Sequence, residues 1–324
     1  MKFKAAVLHS WGNPFSLEEV DLEGREGWTW LRVKATGVCG RDRVVWRGGF
    51  RNLRTPLILG HEVYGEAWGR PHGVYPAIEA ACNGSTCTLL LGETTPGGYA
   101  EMVNVPASSL VELPSREYEK YAAAVCGVAT MIHASKVAGL GPGDRVLVTG
   151  SLGGVGVHGI QYLAMLGARV YAYTRRRQHS RLLEDLGVEP VHSLDFYRGM
   201  GRVDVVMELV GARTLNESMR SLRQGGSLVL VGNVGGEPIL IERPALLVMR
   251  EIRIMGTAAY TMEEYREAIN LVARGRVRPF YKAYRLEEVN RAYRDIDEGR
   301  VIGRAVLVTD SPAGEEEAHP EGAG

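Results

Sequence analysis

The chain of 324 residues carries 38 basic and 38 acidic side chains, with 45% hydrophobic and 23% charged residues. This length exceeds what one hydrophobic core usually supports, so we expect two domains. The balanced charge without a basic block argues against nucleic acid as a partner, and the lack of a run of about 20 apolar residues argues against a membrane span.

The first third of the chain has the pattern of a partly antiparallel β domain. Alternating apolar residues in 1–10 predict a first strand. Because the same stretch lacks the apolar core and cleavage site of a signal peptide, we expect a cytoplasmic protein. Short β-type runs follow at 30–35 and 99–105. Residues 117–140 then predict a helix that ends at the turn residues 139–143.

From residue 144 onward, apolar strands alternate with helices. The predicted strands are 145–149, 169–174, 203–210, 227–231 and 251–255, with a helix at 154–166 after the first of them. Such alternation predicts a parallel, doubly wound α/β sheet. Two helices at 262–274 and 286–298 are predicted to precede a final strand at 304–308.

A glycine-rich segment, Gly150-Ser-Leu-Gly-Gly-Val-Gly156, joins the first of these strands to its helix. Small residues there let the backbone approach a pyrophosphate, and the helix N-terminus offers unpaired N–H groups to the anion. This context predicts a dinucleotide site with Ser151, Gly153, Gly154 and Val155 among its contacts, with Ser151 in place of the first glycine of the usual pattern. The alternative is an ordinary glycine-rich turn.

The end of the second strand indicates which dinucleotide is bound. Proteins that bind NAD typically place an acidic residue there, to accept a hydrogen bond from the ribose 2′-hydroxyl. This chain instead has Thr174, Arg175 and Arg176. Guanidinium groups bind a 2′-phosphate through charge-assisted hydrogen bonds, so we predict NADP(H) as the cofactor. The alternative is a solvated basic start of a helix.

A second set of residues indicates a metal site. Cys39, His61 and Cys126 would give zinc two thiolates and one imidazole, and three protein ligands with an open position are typical of catalytic zinc. The spacing alone is weak evidence, because an isolated buried cysteine is more often a small hydrophobic residue than a ligand.

Together these motifs resemble those of the zinc-containing medium-chain dehydrogenase/reductase family, the alcohol dehydrogenase superfamily, over nearly the full chain. The resemblance rests on residues 39–42, 60–62, Gly65, 97–101, 126–130, 153–156 and 303–307. It implies a mostly β, GroES-like catalytic domain of residues 1–118 plus 257–324. A doubly wound Rossmann domain of residues 119–256 would be inserted into it.

The resemblance also implies roles for single residues. Cys39, His61 and Cys126 match the ligands of one catalytic zinc, and Glu62 matches a carboxylate that approaches or joins the metal. Asp42 matches the acid that orients the ligand histidine. Together with Arg41, these five residues form the predicted catalytic centre.

The cofactor contacts and the assembly follow from the same resemblance. Thr130 matches a residue that contacts the nicotinamide, and we place Gly232 and Asn233 with the cofactor contacts as well. The implied reaction is hydride transfer between NADP(H) and a small carbonyl compound or alcohol, whose oxygen the zinc polarises. Family members commonly pair their nucleotide domains, so we expect a homodimer or homotetramer.

Two departures from the family pattern affect the site. The region that usually holds four zinc-binding cysteines has only Cys82 and Cys87 here, so we predict no structural zinc. Free thiols are the expectation in a reducing cytosol, and a disulfide is the alternative. Arg41 stands where the family usually has the Ser or Thr that relays the alcohol proton, and a guanidinium cannot accept a proton. Arg41 would bind an anionic group or pair with a neighbouring carboxylate.

Other reactions therefore remain open. Residues 39–42, the helix around Cys126 and the segments 150–158 and 232–234 are especially similar to archaeal acryloyl-CoA reductases of the same superfamily. That similarity implies an NADPH-dependent enoyl-CoA or quinone reductase as the alternative activity. A protein that binds NADPH without catalysing a reaction is the third hypothesis. The low glutamine content favours a thermophilic source, although a GC-rich genome would explain the high arginine content equally well.

Overall fold

The structure, a computed structural model, describes residues 1–82, 85–233 and 235–309. Its strands are β1 Lys2–Leu8, β2 Ser16–Asp21, β3 Trp28–Val38, β4 Leu57–Ile58, β5 Glu62–Ala67, β6 Arg70–Val74, β7 Ala77–Cys82, β8 Ser85–Leu90, β9 Met102–Pro106, β10 Leu110–Glu112, β11 Arg145–Val148, β12 Arg169–Tyr173, β13 Glu189–Val191, β14 Val203–Glu208, β15 Leu222–Leu230, β16 Arg253–Gly256, β17 Tyr281–Arg285 and β18 Arg304–Val308. Its helices are α1 Gly40–Trp46, α2 Tyr118–Ala138, α3 Gly154–Met165, α4 Ser180–Asp185, α5 Phe196–Met200, α6 Leu215–Ser221, α7 Pro244–Arg250, α8 Met262–Ala273 and α9 Val289–Asp297.

The amino-terminal and carboxyl-terminal strands form one mostly antiparallel sheet. Its order is β10-β6-β5-β3-β18-β17, and β9 also pairs with β3. The last strand, β18, runs antiparallel to β3, so the end of the described chain returns to a sheet formed mainly by strands of the first third of the chain. A smaller sheet, β2-β1-β4, packs beside it.

The middle of the chain forms a second, parallel sheet of six strands. Its order is β13-β12-β11-β14-β15-β16, and every pairing in it is parallel. The direction of the chain order reverses between β11 and β14. In open sheets of this kind, ligands bind beyond the carboxyl ends of the strands at such a reversal.

Helix α2 lies between the two sheets. It packs against α3, α8 and β3. The helix is terminated by Gly139, which adopts the left-handed conformation common at helix C-termini, with a φ of 65°, at little steric cost because it has no side chain. By length and composition alone, the helix is long and apolar enough to cross a membrane. However, 72% of its most apolar 18-residue stretch is buried inside the protein. That degree of burial is typical of a core helix.

The predicted fold class is confirmed: a doubly wound parallel sheet is inserted into a mostly β part of the chain. From this chain order we propose that the domain boundaries lie near residues 118 and 256. The last fifteen residues of the predicted 257–324 segment lie outside the described part. The sequence prediction missed β17, in which Tyr284 is the one buried residue, so no apolar pattern marks it.

Candidate active site

Four potential metal ligands lie close together, at the start of two elements and inside a third. Cys39 precedes α1, His61 and Glu62 lie at the start of β5, and Cys126 lies in the middle of α2. Their ligand atoms all lie within 4.8 Å of one another, and the four side chains are almost completely withdrawn from solvent. Two thiols, an imidazole and a carboxylate form a donor set that suits zinc.

The carboxylate of Glu62 gives a test of whether a metal fits this cluster. Both of its oxygens are buried, and neither makes a hydrogen bond with adequate geometry to any described residue. Arg304 supplies an ion pair instead, with its Nη2 atom 2.9 Å from Oε1 of Glu62. Buried carboxylate oxygens that lack hydrogen bonds and face two thiols and an imidazole fit a cation site.

The side chains of the cluster strongly shift one another's pKa values. A hydrogen bond from Cys126 holds the pKa of the Cys39 thiol well below its usual value, although burial opposes this effect. The same hydrogen bond and burial raise the pKa of Cys126. Burial also raises the pKa of Glu62 to about 8, against the opposing charge of Arg304. The pKa values of the two thiols are thus shifted in opposite directions, and a metal that binds both as thiolates requires that both be deprotonated.

Asp42 holds the histidine of the cluster in place. Its Oδ1 atom lies 3.0 Å from Nδ1 of His61, and its Oδ2 atom accepts a hydrogen bond of 2.8 Å from the backbone N–H of Cys39. Burial acts to lower the pKa of His61, but the charges of Asp42 and Cys39 raise it well above its usual value. An acid on Nδ1 leaves Nε2 of the ring available to a metal.

Arg41 forms an ion pair with a residue that the sequence prediction missed. Its guanidinium makes two hydrogen bonds to the Glu93 carboxylate, one from Nε and one of 2.8 Å from Nη2. The same guanidinium lies over the ring of Phe50, with 4.8 Å between its central carbon and the ring centre. Of the two expectations for Arg41, the structure therefore contains the carboxylate pair.

Arg304 was also missed, although its motif was recognised. It lies in β18, where all five residues are buried. An arginine inside an otherwise apolar, buried strand is a signal that a buried acidic partner exists. Its guanidinium also packs on the glycine-rich loop, where a Cβ atom on Gly154 would overlap it. Arg304 thus connects the metal-ligand cluster with the predicted dinucleotide site.

The glycine-rich loop is tightly tied to the rest of the fold. The Ser151 hydroxyl donates a 2.9 Å hydrogen bond to the carbonyl of Tyr173, so it is used within the protein. A Cβ atom on Gly156 would overlap the backbone of Gly150 and Ser151, which explains the close approach of α3 to the sheet. Val155 is half-buried in the first turn of α3.

The residues after β12 differ in whether their side chains are already bound within the protein. The hydroxyl of Thr174 accepts a 3.1 Å hydrogen bond from the backbone N–H of Arg176. The Arg176 guanidinium donates to the carbonyl of Gly299 at 2.7 Å, so it is directed toward the carboxyl-terminal part of the chain. Arg175 is exposed. Arg175 is therefore the better placed of the two arginines for a ligand beyond the end of β12.

The remaining predicted cofactor residues lie on α2 and directly after β15. Thr130 is half-buried on α2, one turn after Cys126. Gly232 and Asn233 follow β15, and the Asn233 side-chain oxygen is buried without a hydrogen-bond partner among the described residues. Val234, from the segment 232–234, lies outside the described residues. The hydroxyl of Thr257, just after β16, is likewise buried and unpartnered there; its residue carried no signal in the sequence.

The expectation of free thiols at Cys82 and Cys87 was wrong. The structure joins them in a disulfide, with their Cα atoms 5.8 Å apart across the hairpin of β7 and β8. Strand pairing brings the two residues onto neighbouring strands, which the spacing in the sequence did not reveal. Cys39 and Cys126 are the free cysteines.

Comparison with known proteins agrees with this architecture. The family profile described as "Alcohol dehydrogenase GroES-like domain" matches residues 25–115, and the one described as "Zinc-binding dehydrogenase" matches residues 154–274. The chain is 29% identical to an acryloyl-coenzyme A reductase of Metallosphaera sedula, over 94% of this chain and 100% of that protein. It is 28% identical to an alcohol dehydrogenase of Geobacillus stearothermophilus, over 94% and 98%.

Among solved structures, that of AibC is 32% identical and superposes with a TM-score of 0.81, covering 95% of this chain and 96% of the other. The two profiles cover parts of both sheets, and the GroES-like profile includes Cys39, His61 and Glu62, whereas Cys126 lies between the two matched ranges. The chain therefore belongs to the zinc-containing medium-chain dehydrogenase/reductase superfamily and is an oxidoreductase.

Proposed function

We propose that the protein is a zinc-dependent NADP(H) oxidoreductase that interconverts an alcohol and a ketone or aldehyde. The observation that carries this proposal is the convergence of Cys39, His61, Glu62 and Cys126, whose ligand atoms lie within 4.8 Å of one another. A zinc ion held there would supply Lewis acidity to a substrate oxygen. The hydride chemistry belongs to the nicotinamide.

The chain's own residues have separable tasks in this proposal. Cys39, His61 and Cys126 would hold the metal, and Asp42 accepts a hydrogen bond from the Nδ1–H group of His61 and so fixes the orientation of the ring. Glu62 has two alternatives, since its carboxylate can remain with Arg304 or turn toward the metal. The carboxylate has a positively charged partner in both arrangements. The free-energy difference between the Arg304-paired and the metal-facing carboxylate is therefore smaller than if one of them left the charge unpaired.

NADP(H) is the proposed cofactor because of the residues after β12. Arg175 is exposed there, and no acidic residue occupies positions 173–177 to repel a 2′-phosphate. Gly153 and Gly154 provide the close backbone approach that a pyrophosphate needs, at the N-terminus of α3. Arg175 therefore supplies the specificity for the phosphorylated dinucleotide in this proposal.

A second candidate is an NADPH-dependent reductase of an enoyl thioester, and one observation favours it. The Arg41–Glu93 pair occupies the position where alcohol dehydrogenases of the family usually carry a hydroxyl. A guanidinium cannot relay the proton of an alcohol, whereas hydride addition to an activated C=C bond does not require that relay. The relative from Metallosphaera sedula is named an acryloyl-coenzyme A reductase.

The two candidates are separated by steady-state oxidation of NADPH with two kinds of substrate. Zinc-loaded and chelator-treated protein are each assayed with a panel of small aldehydes and ketones and with acryloyl-CoA. Turnover of the carbonyl compounds that disappears with the chelator and returns with zinc supports the first proposal. Turnover of acryloyl-CoA alone, undiminished by the chelator, supports the second. NADPH binding without turnover of either would contradict both.

We also propose that the protein is a homodimer or homotetramer. Leu240, Val248 and Met249 are between 74% and 79% exposed, and β16, which follows them in the chain, is an edge strand of the parallel sheet. Exposed apolar side chains and strand edges mark surfaces that a second copy can cover. Light scattering coupled to gel filtration tests this: a monomer mass would contradict it.

A further inference from the structure

Beyond Asp42, a chain of hydrogen bonds leads away from the metal-ligand cluster. Oδ2 of Asp42 accepts a hydrogen bond of 3.3 Å from the hydroxyl of Tyr99, and that hydroxyl lies 3.3 Å from the hydroxyl of Tyr293. Tyr99 lies just before β9, whereas Tyr293 lies in α9, near the other end of the described chain. The path from His61 to α9 therefore consists of three consecutive contacts between buried side chains.

The chemistry of the groups fixes the direction of these hydrogen bonds. An ionised carboxylate only accepts, so both His61 and Tyr99 donate to Asp42. The Tyr99 oxygen is then left as the acceptor for the hydroxyl of Tyr293. Burial, followed by the nearby charge of Asp42, raises the pKa of Tyr99 well above its usual value, so the hydroxyl keeps its proton. A directed chain of this kind polarises along its length and strengthens each member.

Packing leaves the Tyr99 ring little freedom. Gly60 has a φ of 95°, and a Cβ atom there would overlap the Tyr99 ring. Phe15 packs edge-on against both tyrosine rings, at 5.8 Å from Tyr99 and 5.0 Å from Tyr293. Gly60 directly precedes His61. The backbone next to this ligand therefore packs closely against the Tyr99 ring, whose hydroxyl donates to Asp42.

We infer that Tyr99 is a positioning residue for the metal ligand His61, acting through Asp42, and that Tyr293 extends this support to helix α9. The inference rests on the zinc site of the proposed function. It assigns part of the metal affinity to two buried hydroxyl groups that are not themselves ligands. Partners of this outer kind typically change metal affinity about 10- to 100-fold when they are lost.

Zinc affinity of the full-length protein measures this role directly. Metal-free wild type, Tyr99→Phe and Tyr293→Phe are titrated with zinc in competition with a chromophoric chelator. We expect the dissociation constant to rise roughly 10-fold for Tyr99→Phe and less for Tyr293→Phe, which is one step further from Asp42. In an Asp42→Asn background, Tyr99→Phe should add little, because the two changes interrupt the same path.

Tyr284→Phe is the matched control. Tyr284 is also buried in the carboxyl-terminal segment, and its hydroxyl donates a 2.8 Å hydrogen bond to Asp295, away from the cluster. A purely structural role for tyrosine hydroxyls would lower the free energy of unfolding in all three variants and leave the zinc dissociation constants equal. Equal constants for Tyr99→Phe and wild type would overturn the inference alone. A wild type without zinc affinity would overturn the proposed function, and the inference with it.

Discussion

The guanidinium of Arg304 lies 2.9 Å from the carboxylate of Glu62, and both side chains are buried to within 4% of full enclosure. Arg304 comes from the last strand, β18, and Glu62 from the start of β5, next to His61. The pair therefore joins the end of the described chain to the metal-ligand cluster. Burial of an unpaired charge is energetically costly, so each of these two residues compensates for the burial of the other.

Replacing Arg304 by methionine should destabilise the fold strongly. Because burial raises the pKa of Glu62 to about 8, the effect should be largest at pH 9, where Glu62 would be an ionised buried carboxylate without its cation; the loss of one partner of a buried pair typically costs about 3–5 kcal/mol. Urea unfolding of the metal-free protein measures this change. The double variant Arg304→Met/Glu62→Gln should recover most of the loss, since no charge is then left unpaired. A double variant as unstable as Arg304→Met would contradict this account.

The Arg41–Glu93 pair predicts an effect on both stability and alcohol chemistry. Arg41→Ser leaves the buried Glu93 carboxylate without its partner, which should cost about 2 kcal/mol because the arginine is half-exposed and partly screened. The double variant Arg41→Ser/Glu93→Gln should regain that stability and carry the hydroxyl usual in the family. Its rate of alcohol oxidation should rise roughly tenfold over wild type. Unchanged or slower oxidation by the stable double variant would show that position 41 does not limit proton release.

Arg175 should govern the choice between the two nicotinamide dinucleotides. Removing one charge-assisted, bidentate contact typically costs about 1.5–3 kcal/mol, so Arg175→Ala should raise the KM for NADPH roughly 10- to 100-fold. The KM for NADH should change less than twofold, about the limit of the assay. Arg177→Ala, an exposed arginine two positions away, is the control. Equal losses with both cofactors would argue against contact between Arg175 and the 2′-phosphate.

His158 predicts a pH-dependent contribution to stability. Its Nδ1 atom donates to the carbonyl of Gly154 at 2.7 Å, and its Nε2 atom accepts from the N–H of Phe280 at 2.8 Å. It thus fastens α3 to the segment before β17. Burial, aided by the charge of Arg304 and opposed by the Gly154 hydrogen bond, lowers the pKa of His158 to about 3.

The sign of the effect follows from that lowered pKa. Below a pH of about 6.5 the unfolded chain binds a proton at His158 while the folded chain does not, so unfolding becomes easier as the pH falls toward 3. The loss approaches about 1.4 kcal/mol per pH unit. Relative to His158→Gln, wild type should therefore lose its advantage in urea unfolding between pH 7 and pH 4. A constant difference over that range would contradict the neutral, buried histidine.

Local sequence patterns predicted most strands of the parallel sheet and the last strand, β18. Five of the six strands of the parallel sheet were predictable because each is a short, mostly apolar run, and β18 because only its first residue, Arg304, is polar; the short strand β13 was not predicted. The β17 strand was not, since alternation is visible only where one face is buried, and β17 buries a single side chain.

The metal-ligand cluster was predictable through resemblance, whereas its supporting contacts were not. Arg41 and Glu93 are 52 positions apart, and the Tyr99 and Tyr293 hydroxyls are 194 apart. Pairings at such separations arise from tertiary packing, and the pattern around each residue does not name its partner. The Cys82–Cys87 disulfide was only the alternative prediction for another reason: thiols are usually reduced in the cytosol, and the hairpin that brings the two residues together was not predicted.

The zinc content of the purified protein tests the central claim most directly. Elemental analysis of wild type and of Cys39→Ala, both prepared without chelator, should give about one zinc per chain in the first and almost none in the second. That result would support one catalytic site formed by the Cys39, His61, Glu62 and Cys126 cluster, with none at the Cys82–Cys87 hairpin. Wild type without zinc after purification in zinc-supplemented buffer would contradict the account and leave the enoyl-thioester reductase as the better candidate.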